Sequence, residues 1–257
     1  MQVTGLGGVP AGATSAAVNV TAAADSYFTV YPAVRPWPRT STSPRARPCQ
    51  DDAVALPPLA APQSVPARRG WLGPAVVLVP VKAFHHAKLR LAPALSPERR
   101  AALARTMAEQ VLHSAGALPA AVVCDDRQVA AWARNLGVLV IWEPGRGLNG
   151  AVAAGVAHLA GAGVDRVVVA AGDLPLAEDL GWITKFEGIT IVPDRRHDGT
   201  NVIAVPTATP FGFSYGPGSF SRHRAEAKTL GVPIRVVSAS PLGWDVDLPA
   251  DLEFLRR

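Results

Sequence analysis

The chain is predicted to form an α/β domain, a doubly wound, mostly parallel mixed sheet, preceded by an irregular N-terminal extension. Three observations predict it. From Pro74 onward, short β-branched runs alternate with segments whose apolar residues recur at helical spacing. Hydrophobic residues make up 49% of the 257 residues, ample for a packed core. The composition also breaks near Gly73: from Pro32 to Pro66 the chain is rich in Pro, Ser, Ala and Arg and has no sustained apolar period, which marks a linker. Residues 1–72 are therefore assigned to a poorly structured extension with a Pro-rich linker, and residues 73–257 to one folded domain.

Within that domain, Ala75 to Val81 reads as a buried strand. Ser96-Pro97 supplies an N-cap and a first-turn proline to a helix that carries Leu103, Met107 and Val111 on one face and ends near Gly116. A strand from Ala120 to Cys124 follows, then a helix with Val129, Trp132, Ala133 and Leu136 as its apolar set, then a strand from Val138 to Trp142. A helix from Asn149 is expected to bury Val152, Val156 and Leu159 and to lead into the strand Arg166 to Ala171. Strands separated by such helices pair in parallel, with helices on both faces. After Leu176 the rhythm changes: short runs at Ile189 to Val192 and Val202 to Val205, a helix from about Ser219, and a last strand from Ile234 to Val237. This later part of the sheet is expected to be mixed.

The formal charge is +5 and the isoelectric point about 9.7. Much of the excess lies early, in Arg35, Arg39, Arg45, Arg47, Arg68 and Arg69, against only Asp25, Asp51 and Asp52. No basic face interleaved with aromatics suggests nucleic acid, so anionic small molecules are the expected partners. No apolar run approaches the ~20 residues that cross a bilayer, so no membrane partner is expected. The start lacks the basic and hydrophobic regions of a signal peptide, and Cys49 and Cys124 form neither a metal pair nor a disulfide framework. A cytoplasmic location is expected; the oligomeric state is not readable.

Acids at strand ends carry the chemistry. Val167 to Ala171 runs into Gly172-Asp173-Leu174-Pro175, and Trp244 leads into Asp245-Val246-Asp247-Leu248-Pro249. An α/β sheet binds ligands at its carboxyl ends, and paired carboxylates there suit a hard cation; Asp173 and Asp247 are the candidate Mg²⁺ ligands. Taken singly, each is also a plausible helix N-cap. Lys82, Lys88 and Arg90 follow the first strand directly and suit a triphosphate. His85-His86 are read as solvent-facing rather than metal-binding, since no other His or Cys lies nearby in sequence.

Gly145-Arg146-Gly147-Leu148-Asn149-Gly150 matches G-x-G-x-x-G after a strand and before a helix. It supports two readings: a dinucleotide-binding dehydrogenase using Gly145, Gly147 and Gly150, or a loop that approaches a nucleotide through Gly147 and Gly150 while Asn149 reads a base or ribose edge. The first follows the third strand rather than opening the domain. Finally, Thr200, Gly216 and Ser219 can supply a hydroxyl, a backbone N–H and a helix-start hydroxyl, and Ser219 opens a helix whose first amides suit an anion.

Taken in order, VPVKAFHHAKLRL, LSPERRAALARTM, GLNGAVAAG, GDLPL, VPDRRHDGTN, YGPGSFSRH and DVDLPADL resemble the 2-phospho-L-lactate and phosphoenolpyruvate guanylyltransferases of coenzyme F-420 biosynthesis, from about Ala75 to Arg257. The resemblance implies a nucleotidyltransferase-type fold and GTP plus a three-carbon phosphorylated acid as substrates. It also implies that Asp173 and Asp247 are metal carboxylates and that Thr200, Gly216 and Ser219 bind the acceptor. Phosphoenolpyruvate and phospholactate share a phosphate and a carboxylate, so the sequence leaves the choice open. Leu248 stands where the family usually has Thr, and Leu176 to Gly188 is short for it. Upstream, Val3 to about Pro38 resembles a repeat of secreted actinobacterial proteins. It is compatible with an accessory segment, a mis-assigned start or a gene fusion; a non-catalytic surface protein is the reading it alone would suggest.

Overall fold

Four apolar runs build the parallel half of a seven-stranded sheet in the computed structural model, which describes residues 72–238 and 240–254. The expected extension lies outside the described residues except for Leu72, which is buried in the core. Strand β1 spans Ala75–Pro80, β2 Ala120–Cys124, β3 Leu139–Trp142 and β4 Arg166–Ala170. The intervening helices are α1 (Pro97–His113), α2 (Arg127–Asn135) and α3 (Gly147–Gly161). Then come β5 (Ile189–Pro193), β6 (Thr200–Pro206), α4 (Ser219–Thr229), β7 (Ile234–Val236) and the short α5 (Asp251–Phe254). The sheet order is β3-β2-β1-β4-β6-β5-β7. Strand β6 runs antiparallel to both β4 and β5, and every other pairing is parallel. The expected mixed sheet is thus present.

Alternation along the strands sorts the core into two layers. Val77 and Val79 pack with Ala108 and Val111 of α1 and Val129 of α2 on one face. Val76 and Leu78 pack with Val152 and Leu159 of α3 and Phe220 of α4 on the other. Burying each large aliphatic side chain contributes roughly 1.5–3 kcal/mol. Helix α3 lies close to the sheet because of Gly155, where a Cβ would stand 2.9 Å from a Leu78 methyl. Ser96 caps α1 as expected, accepting from Arg99 N, and Asp126 caps α2 through the amides of Gln128 and Val129.

Two packing expectations need correction. Leu136 is the C-cap of α2 and is exposed, because the helix ends one residue earlier than its apolar spacing suggests. Val156 is only partly buried; Gly155 occupies the inner position beside it. Helix α3 also begins two residues before Asn149, at Gly147. Among the described residues, no helix is long and apolar enough to cross a membrane.

Candidate active site

The carboxyl ends of β1 and β4 and the segment after β7 meet around one lysine. Past β1 the chain makes two short 3-10 turns, Phe84–His86 and Leu89–Leu91, and Lys88 between them takes left-handed backbone with φ of 55°. That turn carries its ammonium inward: Nζ lies 2.6 Å from Asp173 Oδ2 and 3.0 Å from Asp247 Oδ1. The two acids, 74 positions apart, are thereby joined through one cation. Burial by itself would lower the Lys88 pKa, but the two carboxylates outweigh it and hold the ammonium above its ordinary range. Arg90 stands further out, 3.6 Å from the other Asp247 oxygen with its side chain 71% exposed, and Lys82 is exposed on the same loop. His85 and His86 are both exposed, with ring centroids 4.1 Å apart.

Sequence reasoning passed over two further acids. Asp245 is buried, and its Oδ1 has no hydrogen-bond partner. Burial, reinforced by Asp173, Asp247 and Asp194, pushes its pKa up to about 6. The available signal was the spacing: residues i and i+2 of an extended segment point the same way, so Asp245 accompanies Asp247. Asp251 works through the backbone. Its Oδ2 accepts from the amides of Asp247 and Leu248, at 2.8 and 2.7 Å, and its Oδ1 pairs with Arg195 and, at 3.6 Å, with Arg196. Arg195 in turn stacks over Trp244, 4.6 Å from the ring centroid, and donates to the Asp245 carbonyl. The cap expected of Asp247 is thus supplied differently: the acid that accepts backbone amides is Asp251, which reaches back to Asp247 and Leu248 and fixes the backbone that presents Asp247. Leu248, the departure from the family pattern, is exposed and joins this loop through its backbone, its amide donating to Asp251 Oδ2 and its carbonyl accepting the Asp251 amide.

A cleft of about 220 Å³ opens beside this cluster, lined by Lys82, Lys88, Asp173, Leu148 and Tyr215. The turn into α3 borders it. Gly145 and Gly147 adopt positive φ of 74° and 63°, while Gly150 is an ordinary helical residue whose Cβ would sit 3.0 Å from Arg146 Cβ. Asn149 Oδ1 accepts from the Tyr215 amide at 2.6 Å, which leaves its amide nitrogen as the group able to donate. This turn follows β3, an edge strand, whereas the dinucleotide fingerprint belongs between a central first strand and its helix.

On the other side lies a depression of about 530 Å³, lined by Asp194, Arg195, His197, Ser240 and Trp244 among others. Asp194 shapes its floor by accepting the amides of Arg196, Asp198 and Gly199. The turn delivers Thr200 as the first residue of β6, buried, with Oγ1 3.0 Å from His223 Nδ1. Gly216 has φ of 114°, a conformation that favours glycine, and its carbonyl accepts the Ser219 amide. Ser219 opens α4 as expected and is buried. The idea that the first amides of α4 serve an anion needs revision. Gly218 N donates to Asp198 Oδ1, Ser219 N to the Gly216 carbonyl and Phe220 N to the Asp198 carbonyl, so these donors are already engaged.

An α/β sheet that gathers acids, an internal lysine and two flanking clefts on one rim is the architecture of a nucleotidyltransferase. A likeness of fold alone comes from the solved structure of a putative nucleotide-diphospho-sugar transferase from Desulfovibrio desulfuricans G20, with a TM-score of 0.58 over 70% of this chain and 85% of that one, at 16% identity. Within that class the particular family is clear. Residues 75–255 match the family model described as Guanylyl transferase CofC like, and the chain belongs to that family. It is similar to the phosphoenolpyruvate guanylyltransferase of Sphaerobacter thermophilus, 33% identical over 195 residues that cover 70% of this chain and 91% of the relative. It is likewise similar to that of Rubrobacter xylanophilus, 35% identical over 188 residues that cover 70% and 92%. Neither the family nor the position of the glycine turn supports the dehydrogenase reading.

Proposed function

We propose that the protein joins GMP from GTP to the phosphate of phosphoenolpyruvate and releases pyrophosphate, in the biosynthesis of the deazaflavin coenzyme F-420. The observation that carries the reading is the convergence of Asp173, Asp247 and Lys88 beside a cleft bordered by Lys82 and the α3 turn. The likeness to phosphoenolpyruvate guanylyltransferases favours phosphoenolpyruvate over phospholactate.

An acceptor phosphate oxygen attacks the α-phosphorus; the new P–O bond forms as the bond to the β-phosphate bridging oxygen breaks, and pyrophosphate leaves with the electron pair. The second pKa of a phosphomonoester is about 6, so the nucleophile is already an anion and no side chain has to remove a proton. Repulsion between two anions is the obstacle. Lys82, Lys88 and Arg90 would offset it along the triphosphate, and alignment for in-line attack would come from the two flanking clefts. Asn149, with Gly147 and Gly150 beside it, would hold the nucleoside; Thr200, Gly216 and Ser219 would hold the acceptor.

The donor set also fits Mg²⁺. Asp173 and Asp247 offer hard carboxylate oxygens, and the buried, unpaired Oδ1 of Asp245 stands near them without completing a set of three. Among the described residues no three His, Cys, Asp or Glu side chains form a metal cage. Asp173 and Asp247 would hold the ion together with substrate phosphates, and when bound it would withdraw charge from them.

Pyrophosphate release should be measured with each NTP against phosphoenolpyruvate and phospholactate, with Mg²⁺ and with EDTA. GTP with phosphoenolpyruvate and Mg²⁺ is expected to give the fastest release. Equal rates with all four NTPs, or full activity in EDTA, would refute the proposal.

A further inference from the structure

A hydroxyl has one proton and two lone pairs, so what a threonine offers a ligand depends on which neighbours already hold it. Thr200 is buried at the start of β6, and its Oγ1 is 3.0 Å from His223 Nδ1. His223 lies within α4, fully buried, and its second nitrogen, Nε2, is 2.9 Å from the Ser214 backbone nitrogen. A backbone N–H can only donate, so Nε2 is the bare nitrogen and the ring proton sits on Nδ1. Nδ1 then donates to Thr200 Oγ1. The threonine's own proton is left for a different partner.

Two features hold this arrangement in place. Burial, followed by the charge of Arg222, lowers the imidazole pKa to about 4, so the ring stays neutral near pH 7. The loop that carries Ser214 is clamped: Arg222 donates to Ser214 Oγ at 2.7 Å, to the Ser214 carbonyl at 2.8 Å and to the Pro217 carbonyl at 2.6 Å. The next amide, that of Tyr215, is held by Asn149.

We infer that His223 is a positioning residue, which makes Thr200 Oγ1 a hydrogen-bond donor toward an anionic oxygen of the three-carbon acceptor through the single tautomer that Ser214 imposes. This rests on the acceptor role proposed above for Thr200. His223 itself touches no substrate in this scheme, and its influence on the acceptor passes through one hydroxyl.

Two amide substitutions separate the halves of the ring. His223→Asn puts an amide nitrogen where Nδ1 stands and restores donation to Thr200. His223→Gln reaches the position of Nε2 and restores acceptance from Ser214 without that donor. In the full-length protein, with phosphoenolpyruvate as acceptor, His223→Asn is expected to keep the acceptor KM within about threefold, whereas His223→Gln raises it about tenfold, the worth of one hydrogen bond to a charged group. The GTP KM should stay within about twofold in both. On a Thr200→Val background, His223→Gln should add nothing further, since both changes act on the same contact. Equal acceptor KM values for the two amides, or a GTP KM that moves with the acceptor KM, would overturn the inference. So would nitrogen resonances of the wild-type ring that put the proton on Nε2, a measurement that needs neither substrate nor variant. Absence of any guanylyl transfer by the wild type would sink the proposed function instead, and the ring resonances would still decide the His223–Thr200 contact.

Discussion

Where Lys88 joins Asp173 and Asp247, full charges meet between segments 85 and 159 positions apart, on loops that reach solvent. Where His223 meets Thr200, 23 positions apart, both partners are neutral, buried and lodged in a helix and a strand. The first arrangement holds its groups by charge rather than by fit. The second is built before any ligand arrives, and altering it disturbs packing. Substitutions on the charged side should therefore change turnover and metal dependence, and those on the neutral side should change acceptor affinity and folding.

The harshest test of that contrast is Asp173→Asn. Turnover is expected to fall by at least about a hundredfold with little change in thermal midpoint, since Asp247 still neutralises Lys88. Wild-type Mg²⁺-dependent turnover in this variant would remove the charged side from the chemistry. Asp251→Asn comes next, because it alters a charged group whose work is structural. It should cost on the order of 2 kcal/mol of stability in urea unfolding and lower kcat by roughly tenfold, with the phosphoenolpyruvate KM near normal; unchanged stability would show that the Asp247 loop holds itself.

The neutral side can be probed with pH alone. His223 has its pKa depressed from 6.5 to about 4, so between these values the unfolded chain binds the proton more readily than the folded one. Stability should be full above pH 6.5 and fall as pH drops toward 4, by a few kcal/mol at most. His223→Asn should lose that component of the slope, and an identical pH profile in variant and wild type would contradict the buried neutral ring. The smallest effect is expected at Arg90, whose side chain is 71% exposed. Arg90→Ala should raise the GTP KM roughly twofold and leave the thermal midpoint alone, as exposed ion pairs generally do; a tenfold change would mean that this arginine closes onto substrate.

Much of the fold was legible because its first half obeys local rules. Val- and Ala-rich strands, the cap at Ser96 and apolar residues at helical spacing all specify their elements without reference to distant chain, whereas the Asp126 cap was passed over. The direction of β6 was not legible, since a buried strand reads the same whether its neighbours run with it or against it. Asp173 could be found because it closely follows the apolar run of β4. Asp247 was also expected at a strand end, but it lies well beyond β7, past the 3-10 turn Pro241–Gly243, and only the folded chain brings it to Asp173. Asp245 was passed over despite its D-x-D spacing, since burial without a partner is a property of the folded environment. The same holds for Asp251 and His223, each defined by atoms contributed from elsewhere in the chain. Lys88 was read as a phosphate ligand; its contact with both acids depends on a left-handed turn that its sequence does not announce.

The reversed direction of β6 also settles the site's layout. Ala170, at the end of β4, stands beside Val202, near the start of β6. Had β6 run with its neighbours, Thr200 would lie across the whole thickness of the domain from the aspartates, roughly 20 Å away for a strand of this length. One inverted strand therefore puts Thr200 on the same shoreline as Asp173, at the opposite margin of the sheet from the place where Pro206 faces Arg166.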